Sequence, residues 1–482
     1  MKTELLTTIG LEIHVELKTS TKLFCGCMVA FGGEPNTRVC PVCLGHPGTL
    51  PVPNERAVEF AMKIALALGC ELAPRSIFHR KNYFYPDMPK NYQISQYDIP
   101  IGSAGALDIE VGEERRTIGI TRVHLEEDTG KSIHVGGGGR IHEADYSLED
   151  FNRAGTPLVE IVTEPDLGSP EEARVFASEL RAILELLDVS DVRMEEGSMR
   201  VDANISVGPA GERGVKAEIK NMNSLRSVYR ALGYEQKRQG DLIAQGQLME
   251  QSTRHWDEKA GKTSPLRTKE YAFDYRYFPE PDLVPIEPSV EWLRQLREEI
   301  PELPAERRSR FMSEYALGPD EAATLTSSPD VADFFEAAAR AKSGSEPKQI
   351  ANWIANDLAG RLTERGETIS EARLSPEGLA DLVGLIGEQA ISHSQAKLLL
   401  GEMLETGRGA RELADEKGLS QMADSSELEG VVDQVIADNP DVIAKVRSGN
   451  SKSFGFLMGQ VIRATGGRAN AKLAEELLKQ KL

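Results

Sequence analysis

Several features that define common protein classes are absent from this chain of 482 residues. No apolar stretch approaches the ~18 residues that a membrane-spanning helix needs, which argues against an integral membrane protein. The Gly-x-x-x-x-Gly-Lys-[Ser/Thr] pattern of P-loop nucleotide-binding proteins is also missing, because Leu125 and Trp256 stand where the two nearest candidates require the first glycine. The start, Met1–Glu4, has no signal-peptide apolar region, so we expect a cytoplasmic protein.

Positively charged residues are fewer than negatively charged ones. The chain has 56 Lys and Arg residues against 76 Asp and Glu residues, for a net charge of −20. This balance argues against a general nucleic-acid coat, which relies on basic residues to neutralise phosphates. One local exception runs from Lys445 to the C-terminus, where eight basic residues accompany two acidic ones. This basic tail is a candidate for RNA phosphate contacts, although an ordinary solvated helix face explains the same charges equally well.

Cysteine is rare, but four of the five cysteines are clustered. Cys25 and Cys27 are separated by one residue, and Cys40 and Cys43 by two. Two close pairs of thiols suit the four ligands of a tetrahedral structural Zn²⁺ site, and we favour this interpretation over four free thiols. Cys70 stands alone at the end of an apolar helical stretch, which indicates a packed residue rather than a nucleophile.

The pattern of apolar residues changes once along the chain. Up to about residue 292, alternating apolar and polar stretches indicate strands interleaved with helices. After a proline-rich break the strand signals vanish and helical patterns follow. We therefore predict an α+β domain with a large, mostly antiparallel sheet at residues 1–292, an all-α domain at 293–405 and a small helical tail domain at 406–482.

Four predicted strands of the first domain carry chemically active side chains along one face. Side chains alternate between the faces of a strand, so every second residue shares a face. The four polar rows are Glu12, His14 and Glu16; His124, Glu126 and Asp128; Arg200, Asp202, Asn204 and Ser206; and Lys216, Glu218 and Lys220. Carboxylates along a sheet floor suit Mg²⁺ and a substrate phosphate, and we prefer this interpretation to a plain solvated face.

A fifth segment, His79–Asp87, adds a lysine and two phenols. Lys81, Tyr83 and Tyr85 would lie on one side of an extended chain. A lysine with aromatic neighbours can hold a phosphate and stack on a base. Aromatic packing beside a surface lysine is an equally good interpretation of this segment alone.

Together these segments resemble one family, the B subunits of the glutamyl/aspartyl-tRNA amidotransferase. Two long and unusual strings carry much of the resemblance, Asn152–Glu160 (NRAGTPLVE) and Asp274–Asp282 (DYRYFPEPD). The resemblance covers the whole chain and is strongest over residues 9–285. It implies a glutamine synthetase-like catalytic domain and a helical tail that meets tRNA.

The resemblance also implies a ligase reaction with ATP and Mg²⁺. ATP would phosphorylate the side-chain carboxylate of misacylated Glu-tRNA(Gln) or Asp-tRNA(Asn), and ammonia would then displace phosphate. Carried over to this sequence, the resemblance implies three sets of residues. The catalytic set is Glu12, His14, Lys81, Glu126 and Asp202; the Mg²⁺ ligands are Glu12, His14 and Glu126; and the nucleotide-binding set is Lys81, Tyr83, Tyr85, Glu127 and Asn204.

The family takes its ammonia from a partner. An amidase, the A subunit, hydrolyses glutamine, and the small C subunit makes the assembly a heterotrimer. We expect the same partners here, since Cys70 is not a convincing glutaminase nucleophile. Two alternatives stay open: a free-standing ATP-dependent ligase for a small carboxylate, and a non-catalytic scaffold that docks tRNA.

Overall fold

A computed structural model of the chain describes residues 5–112, 114–136, 144–212, 214–266, 275–341, 345–419, 425–447, 451–465, 469 and 471–482. The chain divides into two compact units, Met1–Ala305 and Glu306–Leu482. The described strands all lie in the first unit, and the described elements of the second are helices. The predicted α+β first part with a helical remainder is confirmed, while the three-domain division stays a prediction.

The described strands are labelled in chain order. They are β1 (Leu5–Glu16), β2 (Glu71–Leu72), β3 (His79–Asn82), β4 (Tyr92–Ser95), β5 (Gly102–Val111), β6 (Glu114–Glu127), β7 (Lys131–Val135), β8 (Tyr146–Asp150), β9 (Pro157–Thr163), β10 (Met199–Pro209), β11 (Ala217–Met222), β12 (Ser252–Asp257), β13 (Lys262–Pro265) and β14 (Phe278–Pro279).

The described α-helices are labelled in the same way. They are α1 (Glu55–Ala67), α2 (Pro170–Leu186), α3 (Leu225–Ala244), α4 (Val290–Glu299), α5 (Pro304–Tyr315), α6 (Pro319–Leu325), α7 (Pro329–Arg340), α8 (Pro347–Asn352), α9 (Ala359–Arg365), α10 (Pro376–Gly387), α11 (His393–Thr406), α12 (Ala410–Glu416), α13 (Ser425–Asp438), α14 (Pro440–Arg447), α15 (Ser451–Ala464) and α16 (Ala471–Lys481).

Nine of the described strands form the main sheet, in the order β13-β12-β11-β10-β1-β9-β6-β5-β2. Neighbouring strands run antiparallel except for the parallel pair β11 and β12. The predicted large, mostly antiparallel sheet is therefore confirmed. β1 lies near its centre, so side chains on β1 have neighbours on both β10 and β9.

The core lies on one face of this sheet. Ile9, Leu11, Ile13 and Val15 of β1 alternate with polar residues and are fully buried in it. Helices α1, α2 and α3 cover this face through contacts with β6, β5 and β10. Burying each such aliphatic side chain contributes about 1.5–3 kcal/mol, which fixes the register of β1. The alternate residues of β1 are consequently left on the opposite face.

Local sequence explains where the covering helices begin. The side chains of Asn54, Ser169 and Ser224 accept hydrogen bonds from backbone N–H groups in the first turns of α1, α2 and α3. Pro170 follows Ser169 at the first position of α2, where its missing N–H costs nothing. These local caps therefore fix where the three helices begin.

A second, three-stranded sheet has the order β14-β3-β4. A bidentate ion pair ties β14 to β3, because Nε and Nη2 of Arg80 donate to the buried carboxylate of Glu280 at 2.6 and 2.8 Å. This pairing connects the proline-rich segment after residue 278 to the strand that carries Lys81. Strands β7 and β8 form a separate two-stranded sheet.

The described residues of the second unit form two hydrophobic clusters, one between Phe311 and Ala414 and one between Leu428 and Leu478. Between α8 and α9 the helical backbone continues as a π-helical segment, Trp353–Leu358. The wider turn allows Trp353, Ile354 and Leu358 all to be buried. Within the described part of the chain, no helix has both the length and the apolar content to cross a membrane.

Candidate metal and phosphate site

Three adjacent strands bring histidines and carboxylates together on the polar face of the main sheet. His14 of β1 lies opposite Glu160 of β9, and Glu160 lies opposite His124 of β6. Glu12 and Glu126 are two residues from these histidines on the same strands and face. Register alone therefore explains why residues far apart in sequence meet here.

The distances define a compact donor set. Nε2 of His14 lies 3.2 Å from an oxygen of Glu160, 3.8 Å from Glu126 and 3.9 Å from Glu12. Nε2 of His124 lies 3.7 Å from Glu126 and 3.8 Å from Glu160. Glu12, His14 and Glu160, and likewise His124, Glu126 and Glu160, could each hold one metal ion.

Burial and mutual repulsion shift the titration of these groups. Burial alone would lower the pKa of His14, but its hydrogen bond with Glu160 and the charges of Glu160, Glu126 and Glu12 raise it to about 9. Burial and Glu160 raise the pKa of Glu12. Burial would also raise the pKa of Glu160, yet His124 and His14 hold it well below its ordinary value. The cluster thus concentrates negative charge that a divalent cation would neutralise.

Lys81 faces this cluster from β3. Burial disfavours its charge, but Glu126, Tyr277 and Glu160 raise the pKa of Lys81. Its ammonium group also lies 5.0 Å from the centre of the Tyr275 ring. A lysine that stays protonated beside the carboxylates can neutralise a phosphate oxygen.

Aromatic rings surround Lys81. The Tyr83 ring lies 6.4 Å from that of Tyr85 and 6.3 Å from that of Tyr275, and Tyr97 stacks on Tyr277 at 4.2 Å. Burial, followed by the charge of Glu126, raises the pKa of Tyr83, so its hydroxyl stays protonated. The structure brings Tyr83 close to the cluster, while Tyr85 is exposed at its edge.

Asp202 and Asn204 extend the polar face along β10. Asp202 lies opposite Glu12 and accepts a hydrogen bond from Lys220 at 2.8 Å. Asn204 lies opposite Gly10 and borders a cavity of about 290 Å³. Its buried Oδ1 has no hydrogen-bond partner among the described residues. A buried acceptor without a donor is costly, which suits a ligand that donates a hydrogen bond.

Glu127 is directed elsewhere. Its carboxylate pairs with Lys90 and accepts a hydrogen bond from the backbone N–H of Ile94. The same carboxylate borders a second cavity, of about 240 Å³, which is also lined by Cys25 and Cys43. The structure therefore does not bring Glu127 into the histidine and carboxylate cluster, although it is adjacent to Glu126 in sequence.

The four clustered cysteines meet as expected. The Sγ atoms of Cys25, Cys27, Cys40 and Cys43 all lie within 4.8 Å of one another. A hydrogen bond with Cys25 is the main cause that lowers the pKa of Cys43 to about 4, and burial raises the pKa of Cys27 to about 11. Four converging thiols fit a tetrahedral zinc site. Cys70 is separate and buried, as predicted, and burial raises its pKa to about 11.

Sequence reasoning missed Glu160 as a site residue. It lies in β9, whose other residues, such as Val159 and Ile161, are mostly apolar and buried. A single carboxylate inside an apolar strand needs a partner, and this exception to the apolar pattern is the feature that could have indicated Glu160. In the sequence, Glu160 stands out only as the last residue of the unusual string Asn152–Glu160, which assigns it no role.

Some basic side chains of the tail are already engaged in ion pairs within the chain. Lys479 pairs with Glu475, and Lys481 pairs with Glu429 and Asp433. Arg463 is exposed on α15. Several other basic side chains, those of Lys445, Arg447, Lys452, Arg468 and Lys472, fall outside the described part of the chain.

The fold and site define an α+β protein with an acidic, histidine-containing candidate metal site beside a half-buried lysine. Comparison with known proteins makes this specific. Residues 7–294 match the GatB/GatE catalytic domain, and residues 333–482 match the GatB domain.

Full-length relatives agree with these domain matches. The B subunit of the aspartyl/glutamyl-tRNA(Asn/Gln) amidotransferase of Moorella thermoacetica is 53% identical over 476 residues, which cover 98% of this chain and 99% of that protein. The B subunits of Brevibacillus brevis and Carboxydothermus hydrogenoformans are each 49% identical, over 99% and 98% of this chain and 98% of each protein. The chain belongs to the GatB family of amidotransferase B subunits, as its sequence predicted.

Proposed function

We propose that this chain is the ATP-using, tRNA-binding subunit that amidates Glu-tRNA(Gln), Asp-tRNA(Asn) or both. The observation that carries the proposal is the convergence of Glu12, His14, Glu126 and Glu160 beside Lys81. Relatives about half identical over their full length, named as amidotransferase B subunits, support it. A carboxylate-lined, mostly antiparallel sheet also supports a glutamine synthetase-like catalytic domain.

The reaction has two steps. The side-chain carboxylate of the glutamyl or aspartyl group attacks the γ-phosphate of ATP, and ADP leaves. Ammonia then attacks the acyl carbon, phosphate leaves with the C–O bond electrons, and the nitrogen releases one proton to give the neutral amide. Phosphorylation is needed because an unactivated carboxylate oxygen is a poor leaving group.

Mg²⁺ would be held by two overlapping groups that share Glu160, namely Glu12, His14 and Glu160, and His124, Glu126 and Glu160. Their oxygen-rich set fits this ion once His14 releases its proton. When bound, Mg²⁺ neutralises charge on phosphate oxygens. The proposed catalytic role of Asp202 is to hold Lys220 toward the same face, through their 2.8 Å hydrogen bond.

The nucleotide-binding part of the proposal rests on five residues. The protonated ammonium of Lys81 holds the transferred phosphoryl group. Tyr83 and Tyr85 offer rings on which a base can stack. The unpartnered Oδ1 of Asn204 would accept a hydrogen bond from the ligand. Glu127 would act only indirectly, because Lys90 holds its carboxylate beside the second cavity.

The four cysteines would bind a structural Zn²⁺. All four positions of a tetrahedral site are then filled by protein, which leaves none open for a substrate. Such a site would fix the long loop between β1 and α1 without taking part in the chemistry.

Ammonia has to reach the pocket from a partner. Cys70 is buried and its pKa is raised, so it is a poor glutaminase nucleophile. We propose a cytoplasmic heterotrimer in which this chain assembles with an amidase, the A subunit, and with the small C subunit. The domains at 1–292, 293–405 and 406–482 would provide catalysis, support and tRNA contact, respectively.

The test uses the chain purified with its partner subunits, Mg²⁺, ATP and ammonium chloride in place of glutamine. Glu-tRNA and Asp-tRNA are supplied separately, and amidated product is measured for wild type, Glu126→Gln and Glu114→Gln. Glu114 is an exposed residue of the same strand, so its variant is a matched control. We expect amidation by wild type and Glu114→Gln and none by Glu126→Gln.

Other outcomes separate the alternatives. Equal amidation by all three proteins would remove Glu126 from the site and favour a docking scaffold. Amidation of a free small carboxylate without tRNA would favour a free-standing ligase. Inactivity of the wild type with both tRNAs would overturn the proposal.

A further inference from the structure

Lys22 is a fully buried lysine whose charge the proposed reaction does not use. Only 1% of its surface is exposed, and it ranks among the largest fully buried side chains of the described residues. Its ammonium group donates to Sγ of Cys43 at 3.6 Å and to the backbone carbonyl of Phe151 at 3.2 Å. Its backbone N–H donates to the carbonyl of Cys27 at 2.9 Å. Both ends of this residue are thus tied to the cysteine cluster.

The described residues provide no carboxylate within 4.0 Å of this ammonium group. Glu127 borders the same cavity, but its carboxylate is already held by Lys90 and by the N–H of Ile94. Burying an unpaired ammonium group costs several kcal/mol, so an anion is needed nearby. Thiolate sulfur at Cys43 is the anion that the geometry offers.

A zinc ion held by four thiolates carries a net charge of about −2, and this charge is least hydrated at Cys43, the buried member of the four, which Lys22 contacts. The positive charge of Lys22 and the negative charge of the cluster therefore compensate each other. Gly155 packs beside both residues, since a Cβ there would lie at ordinary contact distance, 3.5 Å from Cδ of Lys22 and 3.6 Å from Cβ of Cys43. The hydrogen bonds to Cys43 and Phe151 therefore fix the position of the ammonium group.

We propose that Lys22 is the counter-ion of the cysteine cluster and that its charge helps the cluster to retain zinc. The inference rests on the zinc site proposed above and deepens it. Lys22 is a positioning residue that acts through Cys43, so it need not touch substrate. Through the carbonyl of Phe151 it also links the cluster to the loop whose Gly155 N–H donates to the carbonyl of Asp128, just after β6.

The experiment measures zinc retention by the full chain loaded with one equivalent of zinc. A chromophoric chelator competes for the metal, and both the affinity and the release rate are recorded. We expect Lys22→Met to weaken zinc binding about ten- to a hundredfold, the usual effect of losing an outer partner of a metal ligand. Lys22→Arg should restore most of the affinity, because it keeps the charge. Lys63→Met is the control, since Lys63 is also largely buried but pairs with Glu59 and Glu299.

The outcomes are distinguishable. Equal affinity of wild type and Lys22→Met would overturn the inference and leave the zinc site in place. If wild type retains no zinc, both the proposed zinc site and this inference are wrong. The proposed amidation is tested separately and is unaffected by that result.

A second comparison covers the case in which Lys22→Met fails to fold. Thermal midpoints are measured for Cys43→Ala and for Cys43→Ala combined with Lys22→Met. Without the thiolate, the lysine has lost its counter-ion, so the added Lys22→Met change should raise the midpoint. A lower midpoint for the double variant would show that Lys22 serves packing alone and would contradict the inference.

Discussion

Glu160 is the residue that joins the two halves of the candidate metal site. It lies 3.2 Å from His14 and 3.8 Å from His124, on the strand between theirs. Because side chains alternate along a strand, the sequence predicted that Glu12 and His14 share one face of their strand. It predicted the same for His124 and Glu126. The order of the strands could not be read from the sequence, because register between distant segments depends on packing of the whole sheet.

The central position of Glu160 leads to the first prediction. Glu160→Gln keeps the shape of the side chain but removes its charge, so the site should bind Mn²⁺, used as a spectroscopic substitute for Mg²⁺, about ten- to a hundredfold more weakly. Electron paramagnetic resonance of free Mn²⁺ measures this affinity. Glu164→Gln, an exposed residue just after β9, is the control. Unchanged affinity in Glu160→Gln would remove this residue from the metal site.

Glu16 provides a prediction about pH. Burial, followed by the neighbouring Asp128, raises its pKa from 4.5 to about 7. The folded protein therefore holds this proton more tightly than the unfolded chain, and the resulting stability is lost as pH rises from 4.5 through 7. Gln mimics the protonated form, so Glu16→Gln should become more stable than wild type on going from about pH 5 to about pH 8, by up to about 3 kcal/mol.

Thermal or denaturant unfolding at the two pH values measures this difference. Glu71→Gln, on the exposed surface of β2, should show no such pH-dependent gain. A stability difference between Glu16→Gln and wild type that stays constant over this pH range would contradict the raised pKa of Glu16.

At the scale of elements, the alternating apolar pattern predicted the four strands that carry the polar rows, β1, β6, β10 and β11. Two features escaped it: the π-helical segment Trp353–Leu358, and the three-stranded sheet that carries Lys81. The first depends on how Trp353 packs in the second unit. The second depends on β14, which lies far from β3 along the chain, so no local pattern could reveal the pairing. The position of Lys81 beside the carboxylates was consequently a matter of resemblance rather than of spacing.

The contact between α1 and β5 gives a prediction for this scale. A Cβ on Gly105 would lie 2.4 Å from Sγ of Cys70 and 2.6 Å from the carbonyl oxygen of Leu68. Gly105→Ala should therefore destabilise the chain by about 1–3 kcal/mol, the range for overpacking. Gly233→Ala is the matched control, because a Cβ there meets nothing within 4 Å inside α3. That variant should stabilise the chain by up to about 1 kcal/mol.

Chemical denaturation measures the free energy of unfolding of both variants. A neutral Gly105→Ala would mean that the strand can move away from Cys70, and the close approach of α1 and β5 would then have no structural role.

For the whole molecule, the uneven charge is the feature that matters most. The body is strongly acidic, whereas the tail from Lys445 carries a basic excess. The sequence showed this excess but not its pairing, which depends on side chains of α13 and α16 that meet only in the folded tail. Charges already engaged in ion pairs contribute less to an RNA surface than exposed unpaired ones.

This difference predicts unequal effects within the tail. Arg463→Ala should weaken tRNA binding and lower the slope of log affinity against log salt by about one, as expected for one lost phosphate contact. Lys481→Ala should have a smaller effect, because its ammonium group is shared by Glu429 and Asp433. Binding titrations of the assembled complex at several salt concentrations measure both. Equal slopes for wild type and Arg463→Ala would exclude Arg463 from the tRNA surface.

The most direct measurement asks whether the carboxylate and histidine cluster carries the phosphoryl transfer. The assembled complex is given ATP, Mg²⁺ and its misacylated tRNA without any ammonia source, and a single turnover of ADP formation is followed. We predict a tRNA-dependent burst of ADP from wild type and from Glu114→Gln, and none from Glu126→Gln. An equal burst from Glu126→Gln would contradict the central claim, because activation of the substrate would then occur elsewhere.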